Sequence, residues 1–114
     1  MLLQIETRKV EPDITVIQIS GRIALGRESQ QIEKLVQDLI AAGVKKLIFD
    51  LTNVSYIDST GIGIIAFSGG RTKKAGGDVR IAGATGIVLK ALKISLMDTV
   101  LQLFPTAEDA AAGF

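Results

Sequence analysis

Cysteine and histidine are both missing from this 114-residue chain. Without cysteine there is no disulfide, no thiol nucleophile and no thiolate metal site, a composition that fits a reducing compartment. Without histidine there is no Ser-His-Asp triad, no imidazole general base and no histidine metal site. Tryptophan is absent as well, and the aromatic residues are Tyr56 and four phenylalanines. That leaves no stacking platform for single-stranded nucleic acid. Charge of one sign is also lacking: the net charge is +1, so no bulk field draws the chain toward nucleic acid or an anionic membrane. No apolar run approaches the ~18 residues of a membrane span, so membrane insertion is not expected. The opening "MLLQIETRKV" turns polar within four residues, which does not read as a secretion signal. These absences lead us to expect a cytoplasmic protein that is not an ordinary hydrolase and needs no metal or cofactor.

What is present is ordinary for a globular protein, with 47% hydrophobic and 22% charged residues. The length suits a single domain over residues 1–114 with one core. "LLQIETRKV" and "ITVIQISGRI" are β-leaning runs joined by Glu11-Pro12-Asp13, which reads as a turn and predicts an antiparallel hairpin. In the second run Thr15, Ile17 and Ile19 share one face. Ile14, Val16, Gln18 and Ser20 share the other, which starts apolar and turns polar. In "GRESQQIEKLVQDLIAAG" the residues Ile32, Leu35, Val36, Leu39 and Ile40 recur at three and four, the stripe of an amphipathic helix that Gly43 ends. "KKLIFDL" is a short, nearly continuous apolar strand, the pattern of a strand buried on both faces. Thr52 to Ile57 reads as a loop.

From Thr60, "TGIGIIAFSGGRTKKAGG" reads as a second helix, with Asp58, Ser59 or Thr60 as its cap and Gly76-Gly77 as its stop. Phe67 reads as core and Ile62 as a partly exposed residue open to an interface. Arg71, Lys73 and Lys74 read as a solvated, dipole-compatible helix end. "DVRIAG" predicts a strand. "TGIVLKALKISLM" predicts a helix with Val88, Ala91, Leu92 and Leu96 on its apolar side. "TVLQLFP" is a short extended run, and "TAEDAAAGF" opens like a helix capped by Thr106. The order is β-β-α-β-α-β-α-β-α. This is an α/β domain with a mixed sheet of four or five strands, an N-terminal hairpin, a parallel portion and about four helices.

The segment "YIDSTGIG", Tyr56 to Gly63, carries the functional signal. As a plain cap it needs nothing further, since Ser, Thr and Asp are preferred N-caps. As a nucleotide fingerprint, Gly61-Ile62-Gly63-Ile64-Ile65-Ala66 fits G-x-G-x-x-A with Asp78 as the ribose acid. A hairpin, a helix and a strand precede it, however, where the first strand of a βαβ unit belongs. As a nucleophile, Ser59 has no histidine base and lacks the Gly-x-Ser-x-Gly elbow. As a phosphoacceptor, Ser59 sits at a helix start, where about −1.5 to −2 added charges are tolerated by the dipole. Gly61 and Gly63 beside it would let a partner or a modifying enzyme approach the backbone.

On "FDLTNVSYIDSTGIGIIAF", Phe49 to Phe67, the chain resembles a STAS domain of the anti-sigma factor antagonist group. The likeness extends to "KKAGGDVRIAG" and to the hairpin at "ITVIQISGRI", where a glycine closes the second strand. The resemblance implies a small mixed sheet with helices packed on it and a binding protein rather than an enzyme. It implies a partner, an anti-sigma factor that is an ATP-dependent serine kinase. The unphosphorylated form would bind it and release a sigma factor. It further implies that the kinase modifies Ser59, that phosphorylation breaks the complex and that a phosphatase restores it. Thr60 stands second as acceptor, and Asp58 would shape the acceptor turn. A homodimer is an open possibility.

One departure bears on the partner. Close members often carry acids after the glycine that ends the second strand, whereas this chain reads Gly21-Arg22-Ile23-Ala24-Leu25-Gly26. The alternatives are a STAS docking module of a signalling scaffold or lipid-transport complex, without a phospho-switch, and a small nucleotide-binding module. The expected contact surface is Asp58, Ser59, Thr60, Gly61, Ile62 and Gly63. Gly21, Arg22 and Ala24 of a Gly21 to Arg27 loop lie beside it, with the exposed face of the second helix.

Overall fold

A computed structural model describes residues 3–24 and 26–114, without the side chains of residues 27–29. The β-branched runs at the start form β1 (Gln4–Val10) and β2 (Ile14–Ile23), paired antiparallel with Val10 opposite Ile14 and Gln4 opposite Ser20. Leu2, where the first run begins, lies outside the described residues. The amphipathic stripe forms α1 (Arg27–Ala41), which buries Ile32 and Val36 and half-buries Leu35, Leu39 and Ile40. Gly43 follows in the left-handed region at φ 91°, as a residue just past a helix end often does. β3 (Lys46–Ile57), α2 (Ser59–Lys74), β4 (Asp78–Ala82), α3 (Gly86–Ile94), β5 (Gln102–Phe104) and α4 (Ala107–Ala111) complete the domain. A 3-10 turn at Met97–Thr99 lies between α3 and β5.

The five strands lie in the order β1-β2-β3-β4-β5, with β2 to β5 parallel. This is the predicted mixed sheet with its N-terminal hairpin. Its two faces follow the alternation read in β2. One face carries Ile17, Phe49, Ile81 and Leu103 in register, and α1, α2 and α3 supply Ile32, Val36, Ile64, Ile65, Val88 and Leu92 against it. The other carries Ile14, Val16, Ile48 and Ala82, covered by Ala107 and Ala110 of α4.

Three local expectations are corrected. Thr52 to Ile57 is strand and not loop, because β2 continues beside it and pairs Ser20 with Asn53, Gly21 with Val54 and Ile23 with Ile57. Two register shifts, each adding a residue on the β3 side, break the alternation there. With Thr, Asn and Ser between its apolar residues, the segment has the local composition of a turn. Phe67 is not core but 45% exposed, because the buried side of α2 runs through Gly61, Ile64, Ile65 and Ser68. Leu96 is not on the apolar side of α3. The helix ends at Ile94, and Leu96 leaves it in the left-handed region with 63% of its surface exposed.

Candidate functional site

The site is built where β3 passes into α2. Asp58 is extended at φ −102° and caps the helix, its Oδ1 accepting from the Gly61 N–H at 2.8 Å. Its carbonyl accepts from the Ile62 N–H at 2.9 Å. Of the three capping candidates it is therefore Asp58 that fills the role. Ser59 becomes the first helical residue, and both Ser59 and Thr60 are exposed.

The two early glycines turn out to do different things. A Cβ on Gly61 would lie 2.5 Å from the Ile23 carbonyl oxygen and 2.8 Å from side-chain carbons of Ile23 and Ile57. Gly61 is buried, and its missing side chain lets α2 close onto the ends of β2 and β3. Gly63 is exposed and meets nothing within 4 Å. Only Gly63 leaves its surface open to another molecule. Asp58 and Ile62 are half-buried between these extremes.

The structure brings the second predicted segment to the first. Arg22 pairs with Tyr56, Ile23 pairs with Ile57, and the Asp58 N–H donates to the Ile23 carbonyl at 3.1 Å. Gly21 and Arg22 thus belong to β2 and not to a loop. Gly21 is buried and its carbonyl accepts from Ser55 Oγ at 3.3 Å, Arg22 is exposed and Ala24 is half-buried. Leu25, inside the expected loop, lies outside the described residues, as does the Arg27 side chain.

Tyr56 is a residue that sequence reasoning did not assign to the site. The Arg22 guanidinium lies 4.2 Å from the centre of its ring, a cation–π stack on the rim of the motif. Its register with Arg22 becomes visible only once β3 is known to extend to Ile57.

Other candidates lie apart. Asp78 pairs with Lys46 at the start of β3, whereas the glycines follow its end, so the sheet's length separates this acid from the motif. The G-x-G pair sits inside the first turns of α2 and not in a strand-to-helix loop. Neither feature makes a dinucleotide cradle. Arg71 stacks on Phe67 at 4.9 Å, and both line a groove with Gln37 and Ile40 of α1.

Chemically, the arrangement presents a hydroxyl at a helix N-terminus whose dipole favours added negative charge. The neighbouring carboxylate is engaged with a backbone amide. Among the described residues there is no cluster of three or more potential metal ligands, and no helix is long and apolar enough to cross a membrane.

A family model described as STAS domain matches residues 5–110. An anti-sigma factor antagonist from Mycobacterium paratuberculosis has the same fold, with a TM-score of 0.84, 19% identity, and 97% of this chain and 92% of that chain covered. The Bacillus cell fate determinant SpoIIAA in its phosphorylated form superposes with a TM-score of 0.76, 18% identity and 96% and 97% coverage. A sulfate transporter family protein from Wolinella succinogenes gives a TM-score of 0.73, 16% identity and 92% and 87% coverage.

Proposed function

The chain belongs to the STAS domain family, and from that membership we propose that it is an anti-sigma factor antagonist switched by phosphorylation of Ser59. It binds a serine-kinase anti-sigma factor in its unmodified form and is no enzyme itself. The observation that carries this reading is the exposed Ser59 on the first turn of α2, directly after a cap made by Asp58. Phosphate on that hydroxyl lies beside the helix N-terminus, so the fold tolerates it. A partner packed over the turn meets about −1.5 to −2 added charges with Asp58 beside them, and the complex opens. A phosphatase reverses the change. SpoIIAA, which shares the fold, has been solved in both unphosphorylated and phosphorylated forms.

The Arg22–Tyr56 stack favours a partner that brings a carboxylate to this rim. A cation there repels a basic contact and accepts an acidic one. This sets the partner apart from one that reads acids at the same place.

The test is to incubate the chain with ATP and serine-kinase anti-sigma factors and to locate the phosphate by mass spectrometry. One phosphate is expected, on Ser59. Ser59→Asp is expected to lose more than roughly tenfold in affinity with its circular dichroism unchanged, while Ser59→Ala binds and stays bound in the presence of ATP. Equal binding by both variants would rule out the charge switch. Stable complexes without any modification would make the chain a constitutive docking module.

A further inference from the structure

Among the described residues five large apolar side chains are exposed, and four of them fall between positions 87 and 100: Ile87 at 66%, Ile94 at 73%, Leu96 at 63% and Val100 at 54%. We propose that this α3 surface docks the domain on an anionic lipid bilayer, as a contact independent of the Ser59 site.

Helical spacing aligns the surface. Ile87 and Ile94 are seven residues apart, two turns and about 10 Å along one face, with Lys90 between them. Val88 and Leu92 point the other way into the core. Lys93 is exposed on the same helix, and Lys73 of α2 meets the Val100 end of the segment, its Nζ donating to the Val100 carbonyl at 3.0 Å. Asp98 is the acid of the segment, and it shares a groove with Lys93, Leu89, Leu103 and Phe104 at the edge of the stripe, so Lys90 and Lys73 are the cations set apart from it.

Leu96 adds an independent observation. It is the non-glycine residue at positive φ among those described, at φ 63°. That conformation is unfavourable for a leucine, and glycine adopts it freely. The strain is not offset by burial, since the side chain faces solvent.

Charge and composition select the occupant. Lysines interleaved with isoleucines are poor material for a protein interface, where lysine is depleted and aromatic residues are favoured. A second copy pressed on the same stripe would set lysines against lysines. An anionic bilayer surface satisfies both halves: apolar side chains enter the headgroup boundary and ammonium groups meet phosphates. With nine residues α3 lies on such a surface and does not cross it. Lys73 and Ser59 sit at opposite ends of α2, roughly 20 Å apart along its axis, so lipid contact leaves the motif open.

The experiment is co-sedimentation of the full chain with vesicles of phosphatidylglycerol and phosphatidylethanolamine, and with vesicles of phosphatidylcholine, at low and high salt. Preferential binding to the anionic vesicles, weakened by salt, is expected. Lys90→Gln and Lys93→Gln should each lower partitioning roughly fivefold. Leu96→Gly should lower it as well without lowering the thermal midpoint, which separates lost contact from lost fold. The proposal is overturned if anionic vesicles bind no better than neutral ones, or if these variants partition like the parent chain. It is equally overturned if sedimentation velocity shows a dimer that Leu96→Gly dissociates, which would make the stripe a contact between copies.

Discussion

The Asp58 N–H donates to the carbonyl of Ile23 at 3.1 Å, and the same carbonyl oxygen is what a Cβ on Gly61 would strike. One oxygen at the end of β2 thus fixes where α2 begins and how closely it approaches. Ser59 lies between the two residues that meet it. Its exposure is a consequence of neighbours that are held, and not of a loose turn.

Gly61 and Gly63 should therefore respond differently to alanine. Gly61→Ala places a methyl against backbone, which cannot move like a side-chain tip, and is expected to cost about 1–3 kcal/mol. Gly63→Ala sits in open space on a helix and should gain up to about 1 kcal/mol. Urea unfolding of both variants checks this. If Gly63→Ala also weakens binding of the proposed anti-sigma partner, the open surface at Gly63 is part of the interface.

Asp58→Ala removes the acceptor for the Gly61 N–H and should destabilise the domain by about 1 kcal/mol, with Asp58→Asn recovering most of it. The two variants share the loss of charge and differ in the cap. If kinase modification of Ser59 falls in both alike, the partner reads the carboxylate. If it recovers in Asn, the partner reads the geometry of the turn.

Much of this was legible in the chain. The hairpin, the α1 stripe, the β2 faces and the glycine after α1 followed from periodicity and turn chemistry that the tertiary fold did not override. The end of β3 was not legible. Thr52, Asn53 and Ser55 look like loop residues, and their strand conformation comes from pairing with β2. Taking that segment for a loop hid the Tyr56 register with Arg22, although the β run to Ile23 already held Arg22 in the second strand. Gly61 was legible as unusual, but its reason, contact with Ile23, is a long-range fact that no local pattern carries.

Arg22 and Tyr56 make the next expectation. Their stack is exposed on the Arg22 side, so Arg22→Ala should change stability by only about 0.5–1 kcal/mol. Arg22→Glu should be equally well folded yet lose affinity for an acidic partner by roughly tenfold or more, since it replaces attraction with repulsion at the rim. Calorimetric titration of the two variants with the same anti-sigma factor distinguishes a packing role from a charge role. Equal loss in both points to packing.

Arg80 holds the C-terminal helix to the far face of the sheet. Its Nη1 donates to the Ala110 carbonyl at 2.9 Å and to the Ala112 carbonyl at 3.4 Å. Its guanidinium lies 4.2 Å from the Phe114 ring and 5.3 Å from the Phe104 ring. α4 is only five residues long and its buried side chains are alanines, so packing alone anchors it weakly. Arg80→Met keeps the apolar stem but loses the charged hydrogen bonds, and should cost about 1.5–3 kcal/mol. Hydrogen exchange is the sharper readout. The Ala110 N–H, bonded to the Thr106 carbonyl at 3.0 Å, should lose protection in Arg80→Met while amides of β2 and β3 keep theirs. Uniform loss across all strands would instead make Arg80 part of the global core. Unchanged protection at Ala110 would mean that α4 stays docked through Ala107 and Ala110 packing on Ile14, Val16 and Ile48 without this bond.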